Sequence, residues 1–239
     1  MLTFPILTYH KVQAIPPAPG YLCNYVLPAQ FERQMAALEA WGYTSITLEQ
    51  WVEIRAGRQK SPKRPIAITF DDGYRSIYEN AWPVLRRHGM TATVFLVAGS
   101  IGETNHWVKD EAQEQLLNQA EIAEMSADGI CFGSHTFTHR PLTALPQTEV
   151  LYELMRSRTD LETLLGQPVT SLAYPYNKHN RGVRAIARRA GYRSAVLGRG
   201  RLNARWTNPQ ALMRIAVDTR TTIEEFENRL CHPRFATGL

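Results

Sequence analysis

Ile66-Ala67-Ile68-Thr69-Phe70-Asp71-Asp72-Gly73 reads as a buried strand that runs straight into two adjacent carboxylates and a glycine. A run this apolar belongs in a sheet covered on both faces, which is the habit of parallel α/β proteins. Similar short runs recur along the chain at Phe4–Tyr9, Ala92–Val97, Ile130–Gly133, Ser171–Tyr174, Ser194–Leu197 and Met213–Val217. Between them the apolar residues switch to helical spacing. Phe31, Met35, Leu38 and Trp41 share one face, which ends at Gly42; Val150, Leu151, Leu154, Leu161 and Leu165 share another, which ends at Gly166. Ser76 with Glu79, and Thr222 with Glu225, have the spacing of capping boxes and mark expected helix starts. About seven strand–helix units suit a barrel of the (β/α) type, in which reactive groups gather on loops at the carboxyl ends of the strands.

Composition bounds the remainder. The 239 residues are 44% hydrophobic and 21% charged, which is enough apolar material for a large core. A single domain over residues 1–239 is expected, with the Pro/Gly-rich stretches Ala14–Gly20 and Gly57–Pro65 as surface connections. The net charge of +5 comes from basic residues that look scattered, with short clusters at Arg86-Arg87 and Arg188-Arg189. No basic run interleaved with aromatics appears, so nucleic acid is not an expected partner. A mild preference for anionic surfaces or glycans is the safer inference. Cys23, Cys131 and Cys231 are odd in number and far apart, which suggests free thiols. No apolar run reaches the roughly 18 residues of a membrane span, and Met1–His10 lacks the features of a leader. A cytoplasmic location is expected, or an exported one if a leader has been removed.

Three polar motifs sit at strand ends. In Asp71-Asp72, neighbours on an extended segment face opposite sides, so one carboxylate can meet a metal and the other a reacting water. In Ser134-His135-Thr136-Phe137-Thr138-His139, two histidines four residues apart would converge from one helical turn. Two imidazoles and a carboxylate make a three-ligand zinc site with an open position for water. Tyr174-Pro175-Tyr176-Asn177 adds a proline-fixed turn whose Tyr176 amide could face a developing oxyanion, with Tyr174 and Tyr176 available to stack on a sugar ring. His88, His106 and His179 read as structural or loop histidines.

These motifs, in this order and spacing, resemble the polysaccharide deacetylase (NodB-homology) family of carbohydrate esterases. The resemblance covers most of the chain and implies a distorted (β/α)7 barrel. It implies Asp71 as catalytic base, and a divalent ion, zinc, held by Asp72, His135 and His139. Leu7-Thr8-Tyr9-His10-Lys11 and the stretch Phe31–Tyr43 further resemble the branch of biofilm poly-N-acetylglucosamine deacetylases, which implies His10 as the proton donor. The wider family often carries an arginine where this chain has Ala173. Arg214 could substitute from a neighbouring strand end. The family's late histidine motif is missing, and His232 is a poor replacement.

The expected activity is removal of an N-acyl group from an amino sugar or glycan, which is then the partner. A deformylase or amidase acting on a small or lipid-linked sugar would use the same groups, and a glycan-binding homologue without turnover is the alternative outside enzymes.

Overall fold

The computed structural model describes residues 3–14, 22–108, 113–198, 200 and 202–231. Seven parallel strands close into a barrel: β1 (Ile6–Tyr9), β2 (Pro65–Phe70), β3 (Thr93–Leu96), β4 (Cys131–Ser134), β5 (Ser171–Ala173), β6 (Ser194–Gly198) and β7 (Leu212–Ala216). They neighbour one another in chain order from β2 to β7. β1 fills the seam, pairing Leu7 with Ile68 on one side and with Ile215 on the other. All seven expected strands are present within a residue or two of their expected bounds. The run Phe4–Tyr9 is interrupted at Pro5, whose missing N–H cannot join a ladder. Thr3–Phe4 pairs instead with Asn203–Ala204.

Among the described residues seven α-helices surround the barrel: α1 (Pro28–Ala40), α2 (Leu48–Arg55), α3 (Trp82–Arg87), α4 (Gln119–Ala127), α5 (Gln147–Leu165), α6 (Arg181–Arg189) and α7 (Ile223–Cys231). The expected stripes do bury: Phe31, Met35 and Leu38 on α1, and Val150, Leu154 and Leu161 on α5, which ends at a left-handed Gly166. Thr222 caps α7 by accepting from the Glu225 amide at 3.1 Å. Ser76 is not a cap. Its hydroxyl accepts instead from the Val12 amide at 3.3 Å, and the residues after it form a π-type turn over Ile77–Ala81. None of the helices among the described residues is long and apolar enough to cross a membrane.

Alternation along each strand explains where the polar residues go. Leu7, Tyr9, Ile66, Ile68, Phe70, Leu172, Leu197 and Ile215 point outward, into the main core shared with the helices. Ile6, Ala67, Phe95, Ala173, Val196 and Leu212 point inward and form an apolar floor together with Phe4 and Trp51, whose rings stack at 5.5 Å. Two and four residues further along the inward rows come Thr8 and His10, Thr69 and Asp71, and Arg214. His135 follows Gly133 on its row in the same way. The lower end of the barrel is therefore apolar and the carboxyl end is polar, as the barrel expectation required.

Gly133 is where this interior is tightest. A Cβ there would lie 2.6 Å from the Phe95 ring and 2.8 Å from Ser171 Oγ. Gly133→Ala should accordingly lower unfolding free energy by about 1–3 kcal/mol through overpacking, as read by urea denaturation. An unchanged midpoint would mean that the floor has slack the close approach denies.

Candidate active site

The carboxyl end of the barrel opens into a cleft of about 780 Å³ whose walls include His10, Asp71, Asp72, His135, His139 and Arg214. All seven expected site residues thus line one cavity, with Tyr176 on its lip. A second, smaller cavity of about 300 Å³ lies at the opposite end against Phe4 and Trp51, with no cluster of reactive side chains.

Asp71 and Arg214 form its most constrained contact. Arg214 Nη1 donates to Asp71 Oδ1 at 2.7 Å and Nη2 to Oδ2 at 2.5 Å, a bidentate fork; Nη1 also donates to Thr69 Oγ1 at 3.1 Å. Arg214 is only 2% exposed and Asp71 4%. Burial would raise the Asp71 pKa, but the guanidinium more than offsets it, helped by His135 and His10, and holds the carboxyl below its usual value. Ala173 is fully buried in the barrel floor, so no side chain from that position competes for Asp71.

Asp72 turns away from Asp71 for a reason different from the expected one. Its backbone is left-handed, φ 70°, so the two carboxylates separate through a turn rather than through strand alternation. His135 and His139 likewise converge without a helix. Residues 135–140 form a loop in which Thr136 has φ 69° and His139 φ 59°. Left-handed φ at a β-branched residue is a real strain, and hydrogen bonds hold it. Ser134 Oγ accepts from the Thr136 amide at 3.1 Å, and Thr136 Oγ1 accepts from the His139 amide at 3.1 Å. Glu153 on α5, itself buried, accepts from the Phe137 and Thr138 amides at 3.0 and 2.9 Å and from the Thr138 hydroxyl. Sequence reasoning missed Glu153. Its signal was an acid between Val150 and Leu154 on the buried face of an amphipathic helix.

The donor chemistry of the trio fits a cation. His135 Nδ1 lies 2.8 Å from the Ala173 carbonyl, which can only accept, so Nδ1 carries the proton and Nε2 has its lone pair free in the neutral ring. That Nε2 is 3.4 Å from Asp72 Oδ1; His139 Nε2 is 3.2 Å from the same oxygen, with its Nδ1 beside Tyr176 Oη at 3.2 Å. The ligand atoms of Asp72, His135 and His139 all fall within 4.8 Å of one another, and all three residues are buried. A backbone carbonyl that orients a ligating imidazole is the usual outer support of such a site. Trp107 packs on the His139 ring at 4.5 Å between centroids and is a second wall residue that the sequence did not reveal.

His10 Nε2 lies 3.9 Å from Asp71 Oδ2 and the residue is partly open to the cleft. A neighbouring carboxylate was expected to favour its charged form. Burial in the cleft wall outweighs both Asp71 and Asp72, and the pKa is lowered. Tyr176 is 51% exposed and adopts φ 55°, which places its ring over the cleft lip; Tyr174 is buried, with its hydroxyl donating to the Gln210 carbonyl, and its stacking partner is His179. His88 is held by Glu32 and Glu39, and His106 by Glu103, both away from the cleft. His232 lies outside the described residues.

The profile of the polysaccharide deacetylase family matches residues 58–195. YxkH of Bacillus subtilis, which bears the name of a polysaccharide deacetylase, is 30% identical over 213 residues, covering 89% of this chain and 71% of that one. A poly-beta-1,6-N-acetyl-D-glucosamine N-deacetylase of Staphylococcus aureus is 29% identical over 178 residues. That match covers 70% of this chain and 59% of the relative, so the two differ in extent. Among solved structures, the Bacillus cereus polysaccharide deacetylase BC0361 superposes with a TM-score of 0.82 at 28% identity, over 96% of this chain and 69% of that one. The Streptococcus pyogenes deacetylase PplD shares the fold at 23% identity, with a TM-score of 0.85 over 96% and 98% of the two chains.

Two stability and binding outcomes follow from the geometry. Arg214→Met should lower stability by about 3–5 kcal/mol near neutral pH, because it strands a buried carboxylate. Since the folded-state pKa of Asp71 is lowered, its contribution is complete above the unfolded value near 4 and is lost as pH falls through the lower folded value. Denaturation midpoints of wild type and variant should therefore converge in acid; a gap that persisted would sever the loss from the Asp71 charge. Glu153→Gln should weaken divalent-cation binding at the trio by about 10–100-fold, as loss of an outer support does, measured by competition with a chromogenic chelator.

Proposed function

The chain belongs to the polysaccharide deacetylase family, and from that premise we propose that it is a metal-dependent N-deacetylase of glycans built from N-acetylglucosamine. The observation that carries this reading is the pairing of an ionised, fork-held Asp71 with a neighbouring trio of cation ligands at one end of a single cleft. An amide is a poor electrophile with a poor leaving group. Its hydrolysis needs a base, an oxyanion partner and an acid.

In this reading Asp72, His135 and His139 hold a divalent ion, zinc being the best match to two imidazoles and a carboxylate. Such an ion lowers the pKa of a bound water and polarises the scissile carbonyl. Asp71 removes the proton from the attacking water. The Arg214 fork uses one lone pair on each of its oxygens and leaves the others to accept that proton. Arg214 also fixes the rotation of the carboxylate, the part that the family's usual arginine would play from position 173. The Tyr176 amide, on its left-handed turn at the lip, is assigned to the oxyanion. His10, with Nε2 3.9 Å from Asp71, is assigned to protonating the leaving nitrogen.

The Staphylococcus aureus relative supports poly-β-1,6-linked N-acetylglucosamine as the substrate to try first. The partly exposed ring of Tyr176 and the Trp107 wall would hold the pyranose by stacking.

The test is acetate release from β-1,6-linked N-acetylglucosamine oligomers by zinc-loaded protein. Chelation should abolish release and added zinc restore it. Asp71→Asn should reduce turnover by about a hundredfold or more with zinc retained, whereas His135→Ala should lose both. His10→Ala should keep its zinc, lose about a hundredfold in rate, and lose the fall in rate that wild type shows as pH rises through the lowered His10 value. Chelator-resistant release, or full turnover in Asp71→Asn, would overturn the assignment.

A further inference from the structure

Charge along this chain is segregated in a way that inspection for basic runs does not detect. Between residues 163 and 217 there is no Asp or Glu, while ten of the protein's 27 Lys and Arg lie there. All 22 acidic residues are left to the rest of the chain with the other 17 basic ones, so the segment carries +10 and the remainder −5. The overall value of +5 hides two parts of opposite sign, because the acidic residues are excluded from this segment while the basic ones are not.

The segment folds onto one side of the cleft. It supplies β5, the lip residues Tyr176 and Asn177, α6, β6 and β7. Lys178 follows the lip directly and is exposed. Arg181, Arg184 and Arg188 continue from it along α6 at positions i, i+3 and i+7, which share a helix face. Arg181, Arg188 and the adjoining Arg189 are exposed and Arg184 is half-buried. Among the described residues no carboxylate pairs with any of these five; Arg184 rests against His179 Nδ1 at 2.9 Å. Elsewhere on the surface the exposed arginines are typically matched, as Arg58 and Arg193 are by Glu53, Arg156 by Asp160 and Arg140 by Glu149. The nine residues of α6 rise about 13 Å, so the unmatched stripe leads away from the lip over a distance that a glycan chain leaving the cleft would follow.

We infer that the α6 side of the cleft binds the flanking part of a polyanionic glycan, one whose sugar residues carry carboxylate or phosphate groups at intervals beside the N-acetylglucosamine unit being deacetylated. The inference rests on the deacetylase reading for the reacting unit and adds the chemistry of the neighbouring units. Cations placed along a path next to a reaction centre raise the local concentration of an anionic chain and its rate of capture. The exposure of Lys178, Arg181, Arg188 and Arg189 leaves each of those four charges a solvated contact for an oxyanion rather than a buried pair. Continuity with the lip distinguishes a substrate path from a patch for membrane or nucleic acid, neither of which needs to begin at Asn177.

The experiment compares three N-acetylglucosamine oligomers of equal length: neutral, partly carboxymethylated and partly phosphorylated. At low ionic strength the wild-type zinc enzyme should show kcat/KM about tenfold higher on at least one anionic oligomer than on the neutral one, and the advantage should shrink as salt is added. The better of the two anionic oligomers identifies the group recognised. In Arg181→Gln/Arg188→Gln/Arg189→Gln the ratio of anionic to neutral kcat/KM should fall toward one, the neutral oligomer serving as each variant's own reference. Equal rates on all three oligomers in wild type, or an unchanged ratio in the triple variant, would overturn the inference. If the neutral oligomer is not hydrolysed at all, the deacetylase reading fails, and the stripe is judged separately by fluorescence anisotropy of the labelled anionic oligomers with wild type and triple variant. Binding that the triple variant loses supports the stripe, and binding that it keeps overturns it. Sedimentation with equal-part phosphatidylglycerol and phosphatidylcholine vesicles, without preference for either anionic oligomer, would reassign the surface to membranes and also overturn the proposal.

Discussion

A carboxylate placed inside a barrel is a liability unless something holds its charge, and here Arg214 does so for Asp71 with a two-pronged contact. The arrangement spans the seam. Arg214 stands on β7, Asp71 follows β2, and β1 lies between them in the sheet. Without the guanidinium, burial would drive Asp71 toward its neutral form and free its rotation. With it, the carboxylate is ionised, oriented and still able to accept a proton. The same contact places a positive charge beside the ligand trio, where Asp71 and Asp72 put two buried negative charges on adjacent residues.

The cleft concentrates backbone strain as well as charge. Asp72, Thr136, His139, Tyr176 and Asn177 are the non-glycine residues with left-handed φ among the described residues, and each belongs to the cleft or to the loop that carries its histidines. Conformations of this kind cost about 1–3 kcal/mol apiece, and they persist where neighbouring groups fix them. Ser134, Thr136 and Glu153 do so for the histidine loop. Elsewhere among the described residues positive φ falls on glycine, which adopts it without a Cβ penalty, so the left-handed strain of side-chain-bearing residues is kept to the cleft.

Much of the scaffold was legible because a buried strand and an amphipathic helix each leave a local period. All seven barrel strands and the faces of α1 and α5 could be read in that way. The site residues were legible by type and clustering, but the reasons for their convergence were not. His135 and His139 meet through a loop rather than a helix, and Asp71 parts from Asp72 at a turn, because left-handed φ at Thr, His or Asp has no sequence signature comparable to glycine. Glu153 and Trp107 were missed since each acts on a loop distant in sequence, and nothing local says that an acid inside an apolar stripe is reaching for amides. Ser76 and Glu79 show the converse: correct spacing for a cap, overruled when the Ser76 hydroxyl found the Val12 amide. His10 was placed correctly, while its protonation depends on how deeply the cleft wall buries it, a property of packing that spacing does not carry.

Closure of the barrel by its first strand has a consequence for how the protein is made. β1 is synthesised first, yet one of its two partners is β7, with Leu7 opposite Ile215, a sequence separation close to the length of the chain. Contacts this remote are entropically slow to form. On the ribosome β1 can pair with β2 early but must wait for almost the whole chain before its other edge is covered. His10 and Arg214 lie on the two sides of that final joint. The nascent chain therefore carries Asp71 without its guanidinium until residue 214 has been made, and the Asp71–Arg214 fork forms together with closure of the barrel rather than before it.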